Sequence, residues 1–355
     1  MGFNEDQLLP LVHSLIEGLL DEVGGCAFGA SLILGALLES RGGEEDIKAQ
    51  ATILVGKLHA KAMLLGGVET KQRTLIAIQI IAHHNPNAVV TSLLADHQLP
   101  YDEAMINIWK VLSENRTLAS VVMNHLIDLI ISSPDECISE INEHNEISST
   151  KSDTIVAKHT GLAAVIALGT MFLSREMENV IENEFAEVFV PLLLAMSRYA
   201  GMTHYERLNV TSLSSSTVLP ALNDMPSEKI MPFSAASNAM KSFLRCKGCS
   251  SVAMVMDTIC KYLSSNVSYN VTNSSDFAEF IYKLIEPIIA DFPQYLAKMT
   301  RALQPIVVPT KFSTVSTEDA RRASLSPIPC HRIAAAAVFA LLLRSESEVD
   351  LNLIE

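Results

Sequence analysis

The sequence predicts an all-α protein, an α-solenoid of HEAT- or armadillo-like antiparallel helix hairpins, and three observations carry that expectation. Apolar residues recur at helical spacing from Gln7 to Arg344, on stripes too wide to bury against one neighbour. Few stretches alternate apolar with polar residues as half-buried strands do. Glycine pairs separate successive helical segments, and the resulting repeat is about 40 residues, the length of a HEAT or armadillo unit. A length of 355 residues suits two or three globular domains, but a single helical array accommodates it equally because each repeat touches only its neighbours.

The first hairpin is expected from Gln7–Val23, with Leu8, Leu11, Leu15, Leu19 and Val23 at helical spacing, and from Ala27–Arg41. Gly24–Gly25 and Gly42–Gly43 are read as stops, because glycine accepts the left-handed backbone that side chains resist. The layout recurs in Glu44–Leu65, with Ile47, Leu54, Leu58 and Ala62 inward, then Gly66–Gly67 and Glu69–His84. Pro86 opens a shorter helix to Leu94. After the Leu99–Pro100 turn, Asp102–Glu114 and Thr117–Ser132 are paired as another hairpin. The sole tryptophan, Trp109, shares an apolar face with Met105, Ile108 and Leu112, which makes it a core residue.

Periodicity lapses in the acidic segment from Ser133 to Asp153, read as a flexible excursion. Thr154–Leu173 and Glu176–Ala200 restore it, the second with Phe185, Phe189, Leu192, Leu193 and Met196 inward and Pro191 kinking the helix. Residues 202–232, rich in Ser, Thr, Asn and Pro, form a loop or linker. They separate N-terminal repeats (1–201) from C-terminal repeats (233–355). The back half continues as Ser234–Leu244, Val252–Leu263, Asp276–Ala290 (capped by Ser275 or Asp276), Pro293–Leu303 and Pro329–Arg344. The last helix is very apolar where a free solenoid end is expected to be polar, so self-association or further repeats are expected there.

A net charge of −14 argues against a general nucleic-acid binder, which needs clustered Lys and Arg to displace counterions from phosphate. The charge is uneven: Met1–Thr150 holds 8 Lys/Arg against 20 Asp/Glu, whereas Ala236–Arg344 holds 12 against 7. Such halves steer different partners, pair neighbouring copies, or are ordinary solvated faces. The six cysteines are scattered through apolar helical segments, which fits a reducing compartment. Met1–Asp6 lacks a basic start, so no secretory leader is expected, and the five Asn-x-Ser/Thr matches are expected to stay unglycosylated. Asp6 stands where a myristoylation signal wants Ser or Thr. Gly161–Leu173 and Ile333–Leu343 are apolar but short of the roughly 20 residues that cross a bilayer.

Little in the sequence carries chemistry. Cys246-Lys-Gly-Cys249 has a spacing used for zinc and disulfide exchange, but it lacks a second ligand pair and a preceding strand, so a helix end with buried thiols is the expected reading. His83–His84 project about 100° apart and share no face, and their charge suits a helix C-terminus. No Ser-His-Asp pattern or phosphate loop is present, and no catalytic, cofactor-binding or metal-binding residue is expected. Ser324 in Arg321-Arg-Ala-Ser324, with Ser326-Pro327 beyond, is a candidate phosphosite whose phosphate would pair with Arg321 or Arg322.

Several segments in order resemble the maestro heat-like repeat family: Phe28–Gly42, Leu58-His-Ala-Lys61, Ile80–His84 continuing through Ala88–Leu94, and Leu99-Pro100 to Ile108-Trp109-Lys110. The resemblance covers Gln7–Leu173 and fades beyond Met202. It implies HEAT-type repeats, no enzymatic activity or cofactor, a cytoplasmic location with some association with late endosomal or lysosomal surfaces, and relatives much longer than this chain. The expected function is a scaffold binding protein partners along its concave surface. The alternatives are a peripheral membrane-trafficking factor docking its basic C-terminal half on anionic lipid, or an enzyme using Cys246 and Cys249.

Overall fold

The computed structural model of the chain describes residues 5–95, 99–132, 137–138, 155–157, 159–200, 204–205, 231–265, 274–307 and 329–344. These residues are overwhelmingly helical, and the fold class is the expected all-α solenoid of HEAT/armadillo-like hairpins. Two compact units are drawn from the chain. One takes in Met1–Asp128 and Leu173–Val180; the other takes in Leu129–Phe172, Ile181–Glu206 and Lys229–Glu355.

The first unit contains α1 (Glu5–Gly18), α2 (Gly24–Arg41), α3 (Glu45–Ala49), α4 (Ala51–Leu64), α5 (Val68–His84), α6 (Pro86–Ala95) and α7 (Glu103–Ser113). Helix α8 (Arg116–Ser132) follows and runs across the division, and the short α10 (Glu176–Val180) also belongs to this unit. Within a hairpin, α1 packs on α2 and α4 on α5; between hairpins, α4 packs on α1 and α5 on α2. That is the two-layer stacking of HEAT repeats, with α1, α4 and α6 in one layer and α2, α5 and α7 in the other. Because α6 packs on α4 and α7 on α5, these two helices continue the two layers as the third step of the stack.

Local breaks follow the backbone rather than the apolar run. Helix α1 ends at Gly18, and Gly24–Gly25 open α2 instead of closing α1. The expected single helix from Glu44 is interrupted at Gln50, whose φ −100°, ψ 3° lies outside the helical region, leaving the short α3 to bury Ile47. The left-handed glycine stops expected at Gly42 and Gly67 are also corrected: Gly42 has φ −62° and Gly67 φ −82°. Gly42 is small for a different reason, since a Cβ there would collide with the Leu38 carbonyl and stand 2.8 Å from Cδ2 of His84.

The second unit contains α9 (His159–Met171), α11 (Phe185–Tyr199), α12 (Pro232–Cys246), α13 (Ser250–Ser265), α14 (Ser274–Asp291), α15 (Leu296–Val307) and α16 (Pro329–Arg344). Helix α12 packs on α9, α11 and α13, while α16 packs on α11, α14 and α15. Three very short strands, β1 (Cys137–Ile138), β2 (Ile155–Ala157) and β3 (His204–Tyr205), form a ribbon that is antiparallel between β1 and β2 and parallel between β2 and β3. The expected helix Glu176–Ala200 is split between α10 and α11, several residues ahead of Pro191. Pro191 sits buried inside α11.

An aromatic cluster fills this unit. Phe185 stacks on Tyr295 at 4.4 Å between ring centres, tilts onto Phe243 at 5.1 Å and stacks on Phe189 at 5.6 Å. Such pairs add about 0.5–1.5 kcal/mol beyond the area they bury. Where α9 crosses α12, a Cβ on Gly169 would stand 2.9 Å from both Cα and Cβ of Ala239. The small residues there let two backbones approach closely. Ala334, Ala335, Ala337, Val338 and Leu341 of α16 are buried, and the helix packs on α11, α14 and α15.

Candidate interaction surface

Two cross-helix contacts set the register of the first two hairpins. Lys61 Nζ lies 2.5 Å from Glu17 Oε2, and Lys57 Nζ donates to His13 Nδ1 at 3.4 Å; both pairs are 44 residues apart. Helices α1 and α4 therefore run parallel and in phase, one turn of contacts per turn of helix. The hydrogen bond from Lys61 lowers the Glu17 pKa, and burial first, then Lys57, hold His13 below the ordinary histidine range. Lys57 thus donates to a neutral ring.

The next step is tied by buried polar groups. His59 on α4, only 4% exposed, lies with Nε2 3.2 Å from Oδ2 of Asp102. A carboxylate only accepts, so this nitrogen carries the proton. Asp102 is also the N-cap of α7, its Oδ1 accepting from the Met105 N–H at 2.7 Å. Ser92 donates to the Thr52 carbonyl at 3.0 Å and Gln79 to the Val111 carbonyl at 2.8 Å, joining α6 to α4 and α5 to α7. Trp109, Met105, Ile108 and Leu112 are all buried, as expected, with the Trp109 ring 6.4 Å from that of Tyr101.

The residues singled out for chemistry are arranged structurally. Cys246 ends α12, and the turn after it is a Schellman motif: Cys249 N–H donates to the Leu244 carbonyl at 2.8 Å and Gly248 N–H to the Arg245 carbonyl at 3.0 Å. Gly248, with φ +77°, is the left-handed residue such a motif requires. Cys249 is buried, and burial pushes its thiol up to about 12, away from the thiolate that reacts or binds metal. Among the described residues, no three His, Cys, Asp or Glu side chains gather to hold a metal.

His83 and His84 end α5, as read from sequence, but burial first and His84 second lower the His83 pKa. The helix-dipole explanation for that residue is thereby weakened, because the dipole favours the charged form. His84 instead packs against Gly42 and Gly43. Ser324, the acidic segment 139–153 and most of 202–232 lie outside the described residues, as does the side chain of Asp276.

What the first unit does present is exposed apolar surface. Leu20 and Val23 at the α1–α2 turn, Leu32 and Ile33 on α2, Ile53 on α4, and Met63, Leu64 and Val68 around the α4–α5 turn are exposed. Val23, expected in the helical stripe of α1, lies outside it; the buried stripe is Leu8, Val12, Ile16 and Leu19. Among the described residues of the second unit, four cations reach carboxylates. Lys241 and Arg245 both reach Asp257, Lys283 reaches Glu279, and Lys298 lies 3.8 Å from Glu187.

Stacked hairpins in phase, with side-chain ties between layers, define a helical-repeat protein of the HEAT type. Residues 2–123 match the family model described as Maestro, HEAT repeats. The chain is similar to "Maestro heat-like repeat-containing protein family member 1" of Bos taurus, 26% identical over 71% of this chain and 14% of that protein. It is similar to the protein of the same name from Dictyostelium discoideum, 20% identical over 84% of this chain and 17% of that protein. The Caenorhabditis elegans homolog is 29% identical over 37% of this chain and 7% of that protein. No solved structure matches. The chain is thus similar to the Maestro heat-like repeat family through its first 123 residues, and it spans about a sixth or less of the length of these relatives.

Proposed function

We propose that the protein is a non-enzymatic helical-repeat scaffold that binds protein partners along the concave surface of its stacked hairpins. The observation that carries this reading is the exposure of large apolar side chains, Leu20, Val23, Leu32, Ile33, Leu64 and Val68, within the first two hairpins. Exposed apolar side chains gathered in two neighbouring hairpins cost solubility and suit a surface that another macromolecule covers. The family supports it, since HEAT repeats are generally non-catalytic. The burial of Cys249, which pushes its thiol up to about 12, supports it too, because a neutral buried thiol is a poor nucleophile.

The test is photo-crosslinking from positions 32 and 33 of the full chain in cells. Discrete protein adducts are the expected result. Absence of any adduct, together with sedimentation on phosphatidylserine vesicles that fades with salt, would favour the membrane-trafficking alternative instead. Among the described residues no helix is long and apolar enough to cross a membrane.

A further inference from the structure

We infer that the turn edge of the first two hairpins, built by Leu20, Val23, Leu64 and Val68, is the docking site for a basic amphipathic helix of a partner protein; this rests on the scaffold reading. The 44-residue register seen at Glu17–Lys61 and His13–Lys57 continues past the helix ends, setting Leu20 beside Leu64 and Val23–Gly24 beside Gly67–Val68. Four apolar side chains thus form one row on one edge of the unit. Three of them are far out in solvent, Val68 at 78%, Leu64 at 70% and Val23 at 63% exposed.

The third step of the stack shows that this exposure is no requirement of the turn. There the residues between α6 and α7, Leu99 and Tyr101, fold inward and are buried. The first two turns, opened by their glycine pairs, leave their apolar residues uncovered.

The charge around the row selects the occupant. Asp21, Glu22 and Glu69 are exposed along the same two turns. No Lys, Arg or His occurs between Glu17 and Arg41, nor between Lys61 and Lys71. Those flanking cations are engaged: Lys61 by Glu17, Arg41 by Glu44, and Lys71 by Glu103 at 3.9 Å. Among the described residues no ion pair reaches Asp21, Glu22 or Glu69, and such an acidic rim repels anionic lipid and attracts Lys and Arg. The row also has helical pitch. Neighbouring helices of a stack lie about 8–10 Å apart, close to the roughly 10 Å that separates residues i and i+7 of an α-helix. A helix lying across both turns would seat one apolar anchor on each, with its basic flank toward the carboxylates.

The experiment uses the full chain and a fluorescein-labelled amphipathic helical peptide of Leu and Lys, with a Leu/Glu peptide of the same pattern as its counterpart, read by anisotropy. The Leu/Lys peptide is expected to bind, and L64S/V68S to weaken it by about tenfold or more. Asp21→Asn with Glu22→Gln and Glu69→Gln is expected to flatten its salt dependence. The same chemistry in the second unit, Met254→Ser, is expected to leave binding unchanged. All of these side chains are exposed, so the variants keep the fold. Equal binding of the Leu/Glu peptide, no binding of either, or affinity indifferent to L64S/V68S would overturn the assignment. Binding to phosphatidylserine vesicles that L64S/V68S abolishes would also overturn it, by giving the edge to a membrane. Adducts from positions 32 and 33 that persist in L64S/V68S, with peptide binding unaffected, would sink this docking site while leaving the scaffold reading standing.

Discussion

Lys61 reaches Glu17 across the α1–α4 contact, and the 44 residues between them are the repeat length made visible in one ion pair. The pair is largely exposed on the Glu17 side, so its energetic worth is small, about 0–1 kcal/mol. Its significance is geometrical, because with Lys57 and His13 it fixes which residues of successive turns are neighbours.

The tightest helix crossing gives a stability prediction. Gly169→Ala gains up to about 1 kcal/mol of helix propensity but forces a methyl to 2.9 Å from the Ala239 backbone, which overpacking costs about 1–3 kcal/mol. The clash wins, and urea unfolding should show a lower midpoint. Gly35→Ala in α2, with nothing within 4 Å of the new Cβ, should raise it.

Asp102 serves two helices, accepting from Met105 N–H and from His59. Asp102→Ala should cost about 2 kcal/mol, from an N-cap worth about 1 and a charge-assisted bond worth about as much or more. Asp102→Asn retains an acceptor for Met105 and should recover part of that loss. A double-mutant cycle with His59→Ala, measured by denaturant unfolding, should give a coupling energy above about 0.5 kcal/mol; strict additivity would show that the contact is energetically idle.

Thiol reactivity separates the cysteines. Cys26 is exposed, whereas Cys249 is buried with its pKa pushed up to about 12. Native protein at neutral pH should label Cys26 with a maleimide at least about tenfold faster than Cys249, read by peptide mass spectrometry. Comparable rates would show that the Schellman turn opens readily.

Glu184, at the start of α11, has its carboxyl pKa raised by burial and, second, by Glu187. A raised folded pKa means that the associated stability is full below the unfolded carboxylate value and is lost as pH rises through the folded one. Glu184→Gln should therefore raise Tm at pH 7 and change it little near pH 4.

The helical class was legible because wide apolar stripes at a spacing of 3.6 residues have few other uses. Core positions of α4 and α11, such as Leu54, Leu58, Phe185 and Phe189, were read correctly because their stripes are regular and bounded by polar residues. In α1 leucines occupy two adjacent stripes, so Leu11 and Leu15 look as buriable as Val12 and Ile16, and only the placement of α2 and α4 decides between them. Glycine pairs gave the repeat length but not their mechanism. Gly42 is required first by the Leu38 carbonyl and then by the ring of His84, a residue 42 positions away that no local rule connects to it. The exposed edge was hidden for the same reason: Val23 and Val68 become neighbours only once the register across α1 and α4 is known.

The most direct measurement of the proposed surface is hydrogen–deuterium exchange of the full chain with and without the Leu/Lys peptide. Protection concentrated in residues 18–25 and 62–70, and absent from residues 250–258, is the expected result. Protection spread evenly along the acidic half, or confined to a different face, would contradict a docking edge set by Leu20, Val23, Leu64 and Val68.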